Sequence, residues 1–170
     1  MMTRRLGLFA SLVAVALAAG ACANKELQPD SSSLTGKGGQ RVAATPGSQR
    51  DFTANVGDIV YFSSDAVDLT PEAAQTLASQ ARWLQQYGQY TITIEGHADE
   101  RGTREYNIAL GAKRAQAVRD YLVKNGVSAQ RVRTVSFGKE RPVAVCNDIS
   151  CWSQNCRAQT VLNNRSASTQ

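Results

Sequence analysis

Apolar and polar positions alternate with two different periods between about residue 52 and residue 162. The chain before that stretch follows neither period. Ile59-Val60-Tyr61-Phe62 is a short apolar run rich in β-branched and aromatic residues, as a strand requires. Thr70-Pro71-Glu72 then gives a helix start: Thr as N-cap, Pro in the first turn, and Glu at the positive end of the helix dipole. Ala74, Leu77, Ala81 and Leu84 recur at helical spacing beside Trp83 and Tyr87, and Gly88 ends the helix. Tyr90-Thr91-Ile92-Thr93-Ile94-Glu95 alternates with period two and predicts a second strand. After a polar loop over 96–103, Ile108, Gly111, Ala115, Val118 and Leu122 share one helical face. They predict a helix over about 104–124, closed by Asn125-Gly126. Residues 131–137 read as a third strand, and 158–162 as a fourth beyond a cysteine-bearing segment.

This order of strand, helix, strand, helix, strand, short helix or loop, strand predicts one α/β domain over residues 51–163. The expected architecture is a two-layer sandwich with a mixed four-stranded sheet and both helices packed on one face. A polar tail follows over 164–170. Residues 22–50 are dominated by Ser, Gly and Pro without apolar periodicity, a composition that cannot bury enough surface to order itself. As a flexible coil, this tether spans roughly 30 Å r.m.s., and it reaches about 90–100 Å when stretched.

The first 21 residues read as a signal peptide: Arg4-Arg5, then an uncharged, mostly apolar run over 6–21 too short to span a bilayer as a helix. The run ends Ala19-Gly20-Ala21-Cys22, small residues before a cysteine, which resembles the bacterial lipobox. The resemblance implies diacylglycerol on the Cys22 thiol. Ala19 departs from the branched residue usual at its position, and Ala23 after the cysteine agrees with sorting to the outer membrane. A multiply acylated cysteine is a lasting anchor at roughly 0.8 kcal/mol per buried methylene.

Composition adds mainly exclusions. The formal net charge of +5 falls to about +3 without Arg4 and Arg5, and no dense basic stripe with interleaved aromatics occurs. Nucleic acid is therefore not an expected partner. His97 is the only histidine, so a multi-histidine zinc site is impossible. No nucleophile motif accompanies it. We expect no enzyme, no metal and no cofactor. Of the four cysteines, Cys146, Cys151 and Cys156 remain if Cys22 is acylated. Cys146–Cys151 is the preferred disulfide because it closes a tight loop, contributing roughly 2 kcal/mol.

Asp99 follows a strand and Arg114 lies near the start of the next helix. A carboxylate and a guanidinium brought to one mouth can receive a zwitterion, the first taking an ammonium and the second gripping a carboxylate. Charge spacing alone equally allows Asp99 to pair with Arg101 or Arg104 as a loop ion pair, worth about 0–1 kcal/mol if exposed.

The string Ile94-Glu95-Gly96-His97-Ala98-Asp99-Glu100-Arg101-Gly102-Thr103 is followed by Glu105-Tyr106-Asn107-Ile108-Ala109-Leu110-Gly111-Ala112-Lys113-Arg114-Ala115. With Val60-Tyr61-Phe62 and Val135-Ser136-Phe137-Gly138-Lys139-Glu140-Arg141-Pro142, it closely resembles the peptidoglycan-associated lipoproteins within the wider OmpA-like domain family. The match spans about residues 56–162. It implies an outer-membrane lipoprotein facing the periplasm that binds peptidoglycan without cutting it. Asp99 and Arg114 would hold the meso-diaminopimelate end of the stem peptide, with Asn107, Leu110, Phe62 and His97 around them. It further implies partnership with TolB and other Tol proteins, and a role in envelope constriction at division. A general structural lipoprotein of the same fold, without Tol partners, is the alternative. Two departures stand out: Ser63 where relatives commonly carry Asp after Tyr-Phe, and Cys156 where an Arg is usual.

Overall fold

The computed structural model describes residues 44–164. The signal segment, Cys22, residues 23–43 of the tether and residues 165–170 lie outside the described residues. The elements are α1 (Gln49–Asp51) running into a π-helical turn (Phe52–Val56), β1 (Ile59–Tyr61), α2 (Pro71–Gln86), β2 (Tyr90–His97), α3 (Arg104–Lys124), a 3-10 turn (Ala129–Arg131), β3 (Val132–Gly138), α4 (Ile149–Asn155) and β4 (Arg157–Asn164).

Capping fixes the two long helices. Thr70 Oγ1 accepts from the Ala73 amide and Thr103 Oγ1 from the Tyr106 amide, each satisfying one of the free N–H groups of a first turn. The predicted face of α2 is buried through Leu77, Ala81 and Leu84, with Ala73 in place of the expected Ala74, which is half-buried, and that of α3 through Ala115, Val118 and Leu122. Both faces meet Tyr90, Ile92 and Ile94 from one side of β2. Thr91, Thr93, Glu95 and His97 alternate onto the other side, which carries no helix of this core.

The sheet order is β1-β4-β2-β3. β2 and β3 are parallel neighbours joined through α3. β4 runs antiparallel to both β1 and β2 and separates them. The first strand-helix-strand unit therefore does not close a hydrogen-bonded pair of its own: the last strand enters between its two strands. Gln80, buried in α2, pins this insertion by donating to the Gly57 carbonyl at 2.7 Å and accepting from Thr160 Oγ1 at 2.8 Å.

Order begins earlier than the expected boundary at residue 51. Gly47 is buried, and its carbonyl accepts from the Tyr90 hydroxyl at 2.8 Å. Asp51 accepts from Trp83 Nε1 at 2.9 Å and from the Gly47 amide at 3.0 Å. Phe52 packs on Trp83, ring centroids 4.9 Å apart. The stretch over 45–57 is thus part of the core, folded over the end of α2 by long-range aromatic contacts that its local composition does not reveal.

α3 lies unusually close to the sheet because Gly96 of β2 meets Gly111 of α3. A Cβ on Gly96 would fall 1.8 Å from the Gly111 carbonyl oxygen, and one on Gly111 would fall 2.4 Å from Ser136 Oγ. The first collision is with backbone and cannot be relieved by a rotamer change. Gly96→Ala is expected to destabilise the fold by about 3 kcal/mol, the upper range for overpacking. Gly88→Ala, with nothing within 4 Å of the added carbon, should shift it by under about 1 kcal/mol. Urea denaturation midpoints of the two variants test the contrast.

Candidate functional site

The ends of β1 and β2, the starts of β4 and α3, and α4 converge at one end of the sheet. Arg114 is their common point. Its guanidinium is fully buried, and it donates to three carbonyls: His97 at 2.8 Å, Ser63 at 2.9 Å and Ala66 at 2.9 Å. It also lies 5.2 Å from the Phe62 ring centroid. One side chain thereby ties the loop after β1 to the last residue of β2. Each of its three nitrogens donates one of these bonds, and the Cys156 thiol lies beside it as well.

Asp99 faces the same region, its side chain 7% exposed. Arg101 grips it in fork fashion, Nε to Oδ1 at 3.0 Å and Nη2 to Oδ2 at 2.6 Å, and the Arg101 amide adds a third bond at 3.1 Å. Cys156 Sγ donates to Oδ2 at 3.2 Å. Burial pushes the Asp99 carboxyl up, but the bonds from Arg101 and Cys156 outweigh it and hold the group below its ordinary value. The Cys156 thiol is itself pushed up, chiefly by burial, although the nearby Arg114 guanidinium opposes this. Asp99 and Arg114 are thus brought to one place with the Cys156 sulfur beside both. In this resting arrangement the carboxylate is occupied by Arg101, the loop pairing that charge spacing allowed.

Two expected site residues turn out to serve differently. Asn107 is buried, and its amide donates to the Arg101 carbonyl at 2.6 Å, so it fixes the loop rather than offering hydrogen bonds at a pocket edge. His97 contributes its backbone carbonyl to Arg114, while its ring projects to the opposite face of the sheet. There it lies 5.6 Å from the Phe137 ring centroid, with Glu95 Oε2 at 3.8 Å. Its imidazole is pushed down to about 4, first by burial and then by the positive charges of Arg157 and Arg141. Leu110 lines a hollow of about 210 Å³ with Asp65, Val67, Tyr106, Ala109 and Lys113.

The cysteine-bearing segment completes the site. Cys146 and Cys151 are bridged, Cα atoms 5.7 Å apart, and Cys156 is free and buried. The Asn155 side chain accepts from the Val143 amide and donates to the Ala144 carbonyl, pinning α4 a second time. α4 in turn presents Trp152, whose indole N–H donates to Glu100 Oε1 and whose ring carries the Arg101 guanidinium at 4.1 Å. Sequence reasoning missed Trp152. Its only local signal is its place directly after a cysteine of the staple. Cys156 was marked by its departure from Arg, but its contact with Asp99 was not foreseeable.

The described residues contain no helix long and apolar enough to cross a membrane, and no group of His, Cys, Asp and Glu that could hold a metal ion. The model of the OmpA family matches residues 61–155. The chain is 60% identical over 148 residues to the peptidoglycan-associated lipoprotein of Agrobacterium fabrum, covering 87% of this chain and 83% of the relative. It is also 60% identical over 146 residues to that of Rhizobium meliloti, covering 86% and 82%. The crystal structure of the peptidoglycan-associated lipoprotein from Burkholderia pseudomallei superposes with a TM-score of 0.61 at 43% identity, covering 62% of this chain and 90% of that one. The chain belongs to the OmpA family and, within it, to the peptidoglycan-associated lipoproteins. It is not an enzyme.

Two outcomes follow from this geometry. Arg114→Met should lower stability by about 3 kcal/mol in urea, because three carbonyls, that of His97 fully buried, lose a charged donor. His97 has a folded pKa below its ordinary value of 6.5. Its contribution is therefore complete above about pH 6.5 and is lost as pH falls from there toward 4, by up to about 3 kcal/mol. Thermal melts across that range should show the loss, and His97→Asn should remove most of it.

Proposed function

We propose that this chain is a periplasm-facing lipoprotein of the outer membrane, anchored by lipid on Cys22, whose OmpA domain binds peptidoglycan non-covalently. The ligand is the side-chain end of meso-diaminopimelate in the stem peptide, which carries an ammonium and a carboxylate on one carbon. Asp99 takes the ammonium and the Arg114 guanidinium receives the carboxylate, with Phe62 and Leu110 shaping the surroundings. The observation that carries the reading is the convergence of Asp99 and Arg114 at one end of the sheet, in a chain whose relatives are named for association with peptidoglycan. The buried Arg114 supplies fixed charge, and its carbonyl bonds keep it from reorganising when ligand arrives. The hollow beside Leu110 offers apolar surface to the rest of the stem peptide.

On this reading the chain between Cys22 and the folded domain, residues 23–43, supplies reach between membrane and wall. TolB and other Tol proteins are the proposed protein partners, with a role in drawing the envelope inward at division. The family resemblance supports that finer assignment. Co-purification with TolB, with and without stem peptide, separates it from a purely structural lipoprotein.

Asp99 is the cleaner residue to test, because Arg114 also holds the fold together. Asp99→Asn keeps the shape and removes the charge. It should weaken co-sedimentation with purified diaminopimelate-type peptidoglycan by about one to three kcal/mol in apparent affinity, the scale of a charged hydrogen bond. Wild-type sedimentation by this variant would remove Asp99 from the site.

A further inference from the structure

The site just proposed is closed by one of its own side chains. Both oxygens of Asp99 are engaged by Arg101, yet the Arg101 side chain is 43% exposed while that of Asp99 is 7% exposed. The cation can therefore turn away without unpacking the core, whereas the carboxylate cannot. Arg101 has somewhere to remain: its guanidinium lies 4.1 Å from the Trp152 ring centroid, and Nη2 also donates to Ser64 Oγ at 2.8 Å. Trp152 is held by its bond to Glu100 and by α4, which the Cys146–Cys151 bridge and Asn155 fix to the preceding loop. The aromatic platform is stapled in place, while the cation on it is partly exposed and held by hydrogen bonds and the ring contact alone.

We propose that Arg101 is a specificity-determining residue of this site, exchanging partners when ligand binds. The incoming ammonium replaces the guanidinium on Asp99, and the displaced guanidinium, still stacked on Trp152, turns to the ligand's carboxylate beside Arg114. One ion pair becomes two. A ligand with the ammonium but no carboxylate, such as a lysine side chain, breaks the Asp99–Arg101 pair and leaves Arg101 with nothing in exchange. The fork of Arg101 thus acts against plain amines while supporting zwitterions, a repulsive and an attractive element in one residue. Trp152 and the disulfide are positioning residues that keep the cation within reach of both partners.

This inference rests on the proposed wall-binding site, and its test separates the two. Calorimetric titration of the full chain would use two synthetic tripeptides, L-Ala-γ-D-Glu-meso-diaminopimelate and L-Ala-γ-D-Glu-L-Lys. Arg101→Gln should bind the diaminopimelate peptide about fivefold or more weakly and the lysine peptide more tightly than wild type. The preference between them should then fall by about tenfold. Arg101→Lys, which keeps the charge but loses the fork, should recover part of the preference. Equal losses for both peptides, as a merely structural role would give, or an unchanged preference, would overturn the assignment of Arg101. In either of those cases, loss of the diaminopimelate interaction in Asp99→Asn would leave the site itself standing. Unchanged binding by Asp99→Asn would overturn the site and this inference together.

Discussion

The three carbonyl bonds of Arg114 are the constraint on which this end of the domain depends. A guanidinium without solvent contact survives in a protein only when its donors are satisfied, because an unpaired buried charge is strongly destabilising. Here the satisfaction comes from the main chain of Ser63 and Ala66 in one segment and of His97 in another, some thirty residues on. Those segments are therefore held around the cation whether or not any ligand is present. The glycine contact between Gly96 and Gly111 serves the same end, since it lets α3 approach β2 closely enough for Arg114 to reach the carbonyl of His97.

Around this fixed cation the remaining pieces differ in mobility. Asn107 locks the loop backbone at Arg101, and α4 is held by a covalent bridge and an amide clamp. The charged end of Arg101 is bonded but half open to solvent. A covalently fixed scaffold and a partly exposed counter-ion sit side by side, the arrangement that the proposed exchange of partners uses. The sheet face bearing His97 has a different character. There a neutral, desolvated imidazole lies beside Phe137, on which Arg141 stacks, and within the field of Arg141 and Arg157, while its own backbone carbonyl serves Arg114.

Much of the fold was legible because its signals are local. Thr70-Pro71 and Thr103 mark helix starts that their own side chains cap, and the alternation of Tyr90, Ile92 and Ile94 declares which face of β2 is buried. What stayed hidden is non-local. Nothing near residue 160 says that β4 inserts between β1 and β2. Gly47 and Asp51, at the edge of a segment that reads as loose, are held by Tyr90 and Trp83, some forty and thirty residues on. The site divides in the same way. The family motif located Asp99 and Arg114, but residue spacing could not decide between a ligand and Arg101 as the resting partner of Asp99. Nor could it show that the His97 ring leaves the site, since one residue of strand register decides which face it takes.

The chain enters the folded domain beside Tyr90, at the start of β2, and Asp99 lies just past the end of that strand. Eight residues of β2 at about 3.3 Å each separate these points by roughly 25 Å. A pull exerted between the entering chain and a molecule held at Asp99 would run along β2, whose neighbours are antiparallel β4 and parallel β3. Such a load shears many interstrand hydrogen bonds at once instead of peeling them one by one. On the proposed reading, the site lies at the far end of this strand from the entering chain, and the domain is a tension-bearing link.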